Sequence, residues 1–292
     1  MTAPDLVTRL RAAGCVWAED EAALLRAGAT SPDQLESWVA RRLAGEPLET
    51  VLGWVELLGL RLSVRPGVFV PRRRTELLAR TALARVRTTG LGDRRPVVFE
   101  MCCGVGPVAA HLEGSRAQVH AADLSAAALA CARINAPSAD LHRGDLYSAL
   151  PARLRGRVDV LAANAPYVPT GRIDAMPPEA REHEPRAALD GGADGADVHR
   201  RLAEGAGDWL APGGVLLVET SRSQVPLTAG AMTASGLATE LVVDDEVGGC
   251  VVVGRADAPR LMTSAQPTSG AGVTMPTSAS ASSICSREMP RR

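Results

Sequence analysis

From Pro96 onward, short apolar runs alternate with helical patterns, and this alternation constrains the fold more than any other feature of the sequence. Val97–Phe99, Gln118–Ala122, Ala139–His142, Val158–Ala162 and Gly214–Glu219 read as strands. Thr239–Val243 and Cys250–Gly254 read as a closing hairpin. Strands separated by helix-length segments predict an α/β fold with a doubly wound parallel sheet. Ligands of such sheets sit beyond the carboxyl ends of the strands, so the residues just after each strand are the candidates for function.

The chain before the sheet has a different pattern. Residues 1–45 read as helices. Ser31-Pro32-Asp33-Gln34 has the capping-box form, with proline at the first helical position, and Leu35, Trp38, Val39 and Leu43 follow on one face. Leu60, Leu62 and Val64 alternate with polar residues. Arg65-Pro66-Gly67 is a turn signal, and Val68 and Val70 resume the pattern, which predicts a β-hairpin across that turn. A helix follows from Thr75 to Arg87. The expected division is therefore a helical segment at 1–48, a hairpin linker at 49–74 and the sheet domain at 75–261. Residues 262–292, rich in Ser, Thr, Ala, Pro and Gly, read as a disordered tail.

Composition excludes several function classes. All 32 basic residues are arginine, so neither a Schiff-base lysine nor a phosphate-loop lysine is available. The formal net charge of −1 argues against binding nucleic acid through a basic surface. Six scattered cysteines form no CxxC pair, which points to reduced thiols, a cytoplasmic setting and no metal. No apolar run reaches the roughly 20 residues that span a bilayer.

Four strand ends carry chemistry. After the first strand comes Glu100-Met101-Cys102-Cys103-Gly104-Val105-Gly106, an acid followed by a glycine loop. Asp123 ends the next strand, where a carboxylate can accept hydrogen bonds from both ribose hydroxyls. Ala109 stands where dinucleotide sites also accept alanine, so NAD is compatible with the loop. Glu100, however, would repel a pyrophosphate and attract the ammonium of a methionine moiety, which favours S-adenosylmethionine. Asp145 follows the third strand, within reach of an adenine amino group. Asn164-Ala165-Pro166-Tyr167 follows the fourth. An amide or conjugated amino nitrogen is a poor nucleophile because its lone pair is delocalised. The Asn164 side-chain oxygen and the Ala165 carbonyl can hold its two N–H groups, orient the lone pair and stabilise the positive charge that grows on nitrogen. Tyr167 can pack on a planar target.

The sequence resembles the HemK/PrmC family of protein N5-glutamine methyltransferases. The resemblance rests on VLGW at 51–54, PGVFVPRRRTE at 66–76, ADLS at 122–125, GDLY at 144–147, NAPYVPT at 164–170, EPRAALDGG at 184–192 and GGVLLVE at 213–219. It implies a class I AdoMet-dependent methyltransferase with a seven-stranded sheet, acting on a glutamine of class 1 peptide chain release factors. It also implies a helical N-terminal substrate-recognition domain joined by a hairpin linker. S-adenosylmethionine would lie against Glu100, Cys102, Gly104, Gly106, Asp123, Asp145 and Asn164, with Asn164, Ala165, Pro166 and Tyr167 at the reacting nitrogen. The sequence departs from the family pattern at four places, the first being Glu100, where the family's first strand has an aspartate. Ala165 replaces a proline, Arg74 stands where the PRPETE motif has an acid, and Cys102 occupies a small-residue position. The expected partner is a release factor, with a monomeric enzyme and no membrane or nucleic acid. The competing readings are an N6-adenine methyltransferase, a small-molecule methyltransferase and a non-catalytic AdoMet-binding protein.

Overall fold

The computed structural model describes residues 5–88 and 94–256; the expected tail at 262–292 lies outside the described residues. Four helices open the chain: α1 (Leu6–Ala12), α2 (Ala18–Gly28), α3 (Pro32–Leu43) and α4 (Leu48–Leu52). They close over Leu10, Ala22, Leu25, Val39 and Val51, with Leu35, Trp38 and Leu43 packed against this small core. The cap of α3 differs from the expected box by one residue. Ser31 Oγ accepts from Gln34 N, but Gln34 Oε1 reaches back to Thr30 N instead of Ser31 N. Helix α4 also carries the helical segment past residue 48.

The hairpin exists, but not across Arg65-Pro66-Gly67. Its strands are β1 (Trp54–Leu57) and β2 (Leu60–Ser63), paired antiparallel with Val55 opposite Leu62. The two-residue turn places Leu58 at φ 54° and Gly59 at φ 72°. Positive φ at both positions gives the twist that matches the flanking strands. Leucine seldom adopts it, so the sequence hides the turn. Val68 and Val70 are buried as expected, yet they lie in irregular chain that packs on the same core as the hairpin.

Helix α5 (Thr75–Thr88) leads into the sheet. The strands are β3 (Val97–Met101), β4 (Gln118–Asp123), β5 (Asp140–Arg143), β6 (Val158–Ala163), β7 (Leu210–Glu219), β8 (Ala238–Asp244) and β9 (Gly249–Arg255). Their order is β5-β4-β3-β6-β7-β9-β8, and only β9 runs antiparallel to its two neighbours. This is the class I methyltransferase sheet. The intervening helices are α6 (Pro107–His111), α7 (Ala126–Asn135), α8 (Pro178–His183), α9 (Asp197–Trp209) and α10 (Val225–Ala234).

Side-chain alternation assigns the two faces. Val98, Val160, Ala162, Val215 and Leu217 pack with Leu78 and Ala82 of α5. Phe99, Met101, Leu161, Ala163, Leu216 and Val218 pack with Leu202 and Ala206 of α9. Strands β3 and β6 are buried at every position, as central parallel strands covered on both faces must be. The chain builds β3, β4 and β5 outward and then returns to β6 beside β3. That reversal opens a crevice at the carboxyl ends of β3 and β6.

Candidate active site

The crevice is an open cleft, and eight of the expected site residues line it: Cys102, Gly104, Asp123, Asp145, Asn164, Ala165, Pro166 and Tyr167. Each follows or ends a strand of the sheet, so one edge of the fold gathers them. Glu100 and Gly106 are not in the lining.

Glu100 departs from expectation for a physical reason. It is 3% exposed, and its two oxygens accept from Val108 N (3.1 Å) and Ala109 N (2.8 Å). The carboxylate therefore closes the amino end of α6 and does not face a ligand ammonium. Burial pushes it up to about 8, against the two backbone N–H groups that hold its charged form. Gly106 is likewise structural. It has φ +76°, and an added Cβ would stand 3.2 Å from Ala132 Cβ, so glycine lets the loop lie against α7.

Asp123 joins the loop to the cleft. Its Oδ2 accepts from Gly104 N at 2.8 Å and its Oδ1 from Ser125 N at 2.8 Å. Each carboxylate oxygen accepts more than one hydrogen bond, so ribose hydroxyls can still be held. Burial raises its pKa, and the Ser125 and Gly104 N–H groups oppose the rise. Asp145 is less free than expected, because its Oδ2 pairs with Arg201 on α9 at 2.6 Å. Cys102 and Leu146, both in the lining, take φ 52° and 45°. Strained backbone of this kind gathers at ligand sites. Burial, with Asp123 and Asp145 nearby, pushes the Cys102 thiol up to about 12, so it is not a nucleophile.

The other end of the cleft is built on Asn164. Its Nδ2 donates to Thr75 Oγ1 at 3.2 Å, which leaves Oδ1 for the cleft. Thr75 starts α5 and is fully buried. Arg74, next to it, lines the cleft and places its guanidinium 5.6 Å from the Tyr167 ring centre. Arg74 Nε donates to Glu219 Oε1 at 3.2 Å. Burial raises the Glu219 pKa, and Thr75 and Arg74 oppose it. Burial, then the Glu219 charge, pushes the Tyr167 phenol up to about 12, so it stays neutral.

The EPRAALDGG segment forms a further wall that residue-by-residue reading gave no role. Glu184 Oε1 accepts from Arg72 (2.7 Å) and Val70 N (3.3 Å), tying that wall to the segment before α5. A Cβ on Gly191 would stand 2.7 Å from Tyr167 Cα, so only glycine lets the wall press on the Asn164–Tyr167 loop. Thr75 is the other residue that sequence reasoning missed. A threonine before an apolar helix reads as a cap, and nothing local shows that it faces Asn164. Among the described residues no three His, Cys, Asp or Glu side chains converge as a metal site.

No family model matches the chain. It is similar to the release factor glutamine methyltransferase of Streptomyces coelicolor, with 42% identity over 195 residues, covering 64% of this chain and 68% of that one. The release factor glutamine methyltransferase of Geobacter sulfurreducens is 36% identical, covering 74% of this chain and 75% of its own. A 4-amino-L-phenylalanine/4-methylamino-L-phenylalanine methyltransferase of Streptomyces pristinaespiralis is 37% identical, with 78% and 80% covered.

Proposed function

The chain belongs to the release factor glutamine methyltransferase family, and on that premise we propose that it methylates the side-chain amide nitrogen of a glutamine in a class 1 peptide chain release factor. The observation that carries the reading is the Asn164 amide, held at its nitrogen by Thr75 with its oxygen left for the cleft. When bound, S-adenosylmethionine supplies an electrophilic methyl group on a sulfonium.

The residues present fit that cofactor. Asp123 offers ribose acceptors at a cleft wall, and an added Cβ on Gly104 would meet nothing within 4 Å, so the backbone there is open to approach. Glu100 contributes by holding α6 and the loop before it. Cys102 and Asn164 border the same space. Asp145 offers an adenine acceptor on the oxygen that Arg201 does not take.

At the acceptor end, Asn164 Oδ1 and the Ala165 carbonyl take the two N–H groups of the amide and turn its lone pair toward the methyl. Replacing the family's proline by Ala165 keeps that carbonyl. Pro166 stiffens the loop behind it. Tyr167, neutral, packs on the planar amide. No strong base is needed, since the nitrogen becomes acidic once methylated and loses its proton to water. The same reading makes the protein a cytoplasmic monomer that touches a protein substrate and no nucleic acid. No helix among the described residues is long and apolar enough to cross a membrane.

A second reading has a specific observation behind it. Arg74 places a cation at the acceptor end, where the family motif has an acid, and the Streptomyces pristinaespiralis relative is named for an amino acid bearing an aromatic amine. An aromatic amine shares the delocalised lone pair, and its carboxylate would suit Arg74. Labelled methyl transfer separates the two. Incorporation into a purified release factor supports the first reading; incorporation into 4-amino-L-phenylalanine, with none into the release factor, replaces it.

A further inference from the structure

The side-chain amide of Asn164 can present either oxygen or NH₂ to the cleft, and the two choices have opposite consequences. Oxygen accepts an N–H of the methyl acceptor. NH₂ faces that N–H donor to donor and excludes it. The two orientations occupy nearly the same space, so packing alone does not choose between them. The choice is made by the group behind the amide.

That group is Thr75. Its hydroxyl is fully buried, 3.2 Å from Asn164 Nδ2. A hydroxyl has one proton to give and lone pairs to receive. Beside it lies Glu219, whose side chain is also fully buried. Glu219 Oε1 takes Arg74 Nε, and Oε2 has no hydrogen-bond partner among the described residues. A buried carboxylate short of donors claims a proton within reach, and the Thr75 hydroxyl, which acts on Glu219, offers one. With its proton turned to Glu219, Thr75 can only accept from Asn164.

We propose that Thr75 and Glu219 are positioning residues that fix the polarity of the Asn164 amide, holding its nitrogen inward so that its oxygen faces the methyl acceptor. The proposal rests on the reading that Asn164 accepts from the reacting nitrogen. It adds that reading's missing part, the reason the amide points one way. Neither residue touches cofactor or acceptor. Arg74, which also lines the cleft beside Tyr167, serves the same chain by holding the other oxygen of Glu219.

The test is steady-state methylation of a class 1 release factor, with AdoMet binding measured beside it. Thr75→Val keeps the shape and removes the hydroxyl. It should lower kcat by roughly 10- to 100-fold, the scale of hydrogen-bond partners one shell out from a reacting group. The AdoMet dissociation constant should not move, and Thr75→Ser should restore turnover. Thr75→Ala gives the same readout should valine not be accommodated. In an Asn164→Ala background, Thr75→Val should cost nothing more, because the amide it orients is gone. Wild-type turnover in Thr75→Val overturns the proposal, as does equal loss in Thr75→Val and Thr75→Ser, or additive losses in the double variant. Full activity of Asn164→Ala would instead overturn the reading beneath it, so the two failures are distinct.

Discussion

An amide nitrogen becomes a nucleophile only if its N–H groups are held while its lone pair is freed, and this demand falls on single residues. Asn164 meets it with an acceptor that strengthens as charge develops, so its contribution is to the transition state. Asn164→Ala should lower turnover about 100- to 1000-fold and change AdoMet affinity far less, checked by initial rates and by calorimetry. Asp123 should show the reverse signature. Its carboxylate holds Gly104 N and Ser125 N besides its proposed ribose contacts. Asp123→Ala should therefore weaken AdoMet binding by about 2–4 kcal/mol, roughly 30- to 1000-fold. An unchanged dissociation constant would remove Asp123 from the cofactor site. Both residues were legible in the sequence because residue type and position at a strand end already restrict their use. The direction of Glu100 was not legible. A carboxylate at that position can face the cleft or the amino end of α6, and only the folded loop decides between them.

At the scale of elements, strands β3 to β9 were readable to within a few residues because the apolar period and the intervening helices agree. The hairpin was misplaced because its turn carries leucine at positive φ, while Arg65-Pro66-Gly67 carries the stronger turn signal without joining strands. What fastens the hairpin was also hidden, since it is a contact across 72 residues of chain. Asn135, at the end of α7, accepts from Ser63 N at 2.7 Å and donates to Ser63 O and Val105 O at 3.1 and 2.9 Å. One side chain thus joins β2, α7 and the glycine loop. Asn135→Ala removes three hydrogen bonds and should cost about 2–3 kcal/mol, read as a fall in Tm of about 5–10 °C. A change of Tm within error would show that the hairpin is held by apolar packing alone.

At the scale of the whole molecule, two histidines are buried among the described residues, and both act in the same direction on acid stability. His120 in β4 and His199 in α9 are at most 1% exposed, and burial pushes each down to about 4. In the unfolded chain both titrate near 6.5. Between those values the unfolded chain binds protons that the folded one refuses, so the stability they confer is complete above about 6.5 and is lost as pH falls toward 4. Each accounts for about 3 kcal/mol at most. Glu100, pushed up to about 8, acts with the opposite sign in the same window, so the test is the difference between two proteins that share it. The Tm of wild type relative to His199→Gln should fall as pH is lowered from about 6.5 toward 4, and a difference that does not change with pH would contradict the assigned burial of His199.

The N-terminal helical segment belongs to this scale as well. The sequence showed a separate helical segment through its own apolar face, and the structure gives that segment its own small core. Its approach to α8, through Arg42 and Glu179 at 3.3 Å, joins a different part of the chain and has no local signal.

The central claim, an amide nitrogen as methyl acceptor, is tested most directly by locating the methyl group. A class 1 release factor incubated with the protein and S-adenosylmethionine should gain one methyl, and fragment-ion mass spectrometry should place it on the side-chain nitrogen of a single glutamine. An unmodified release factor under conditions where 4-amino-L-phenylalanine or an adenine oligonucleotide is methylated would contradict the account.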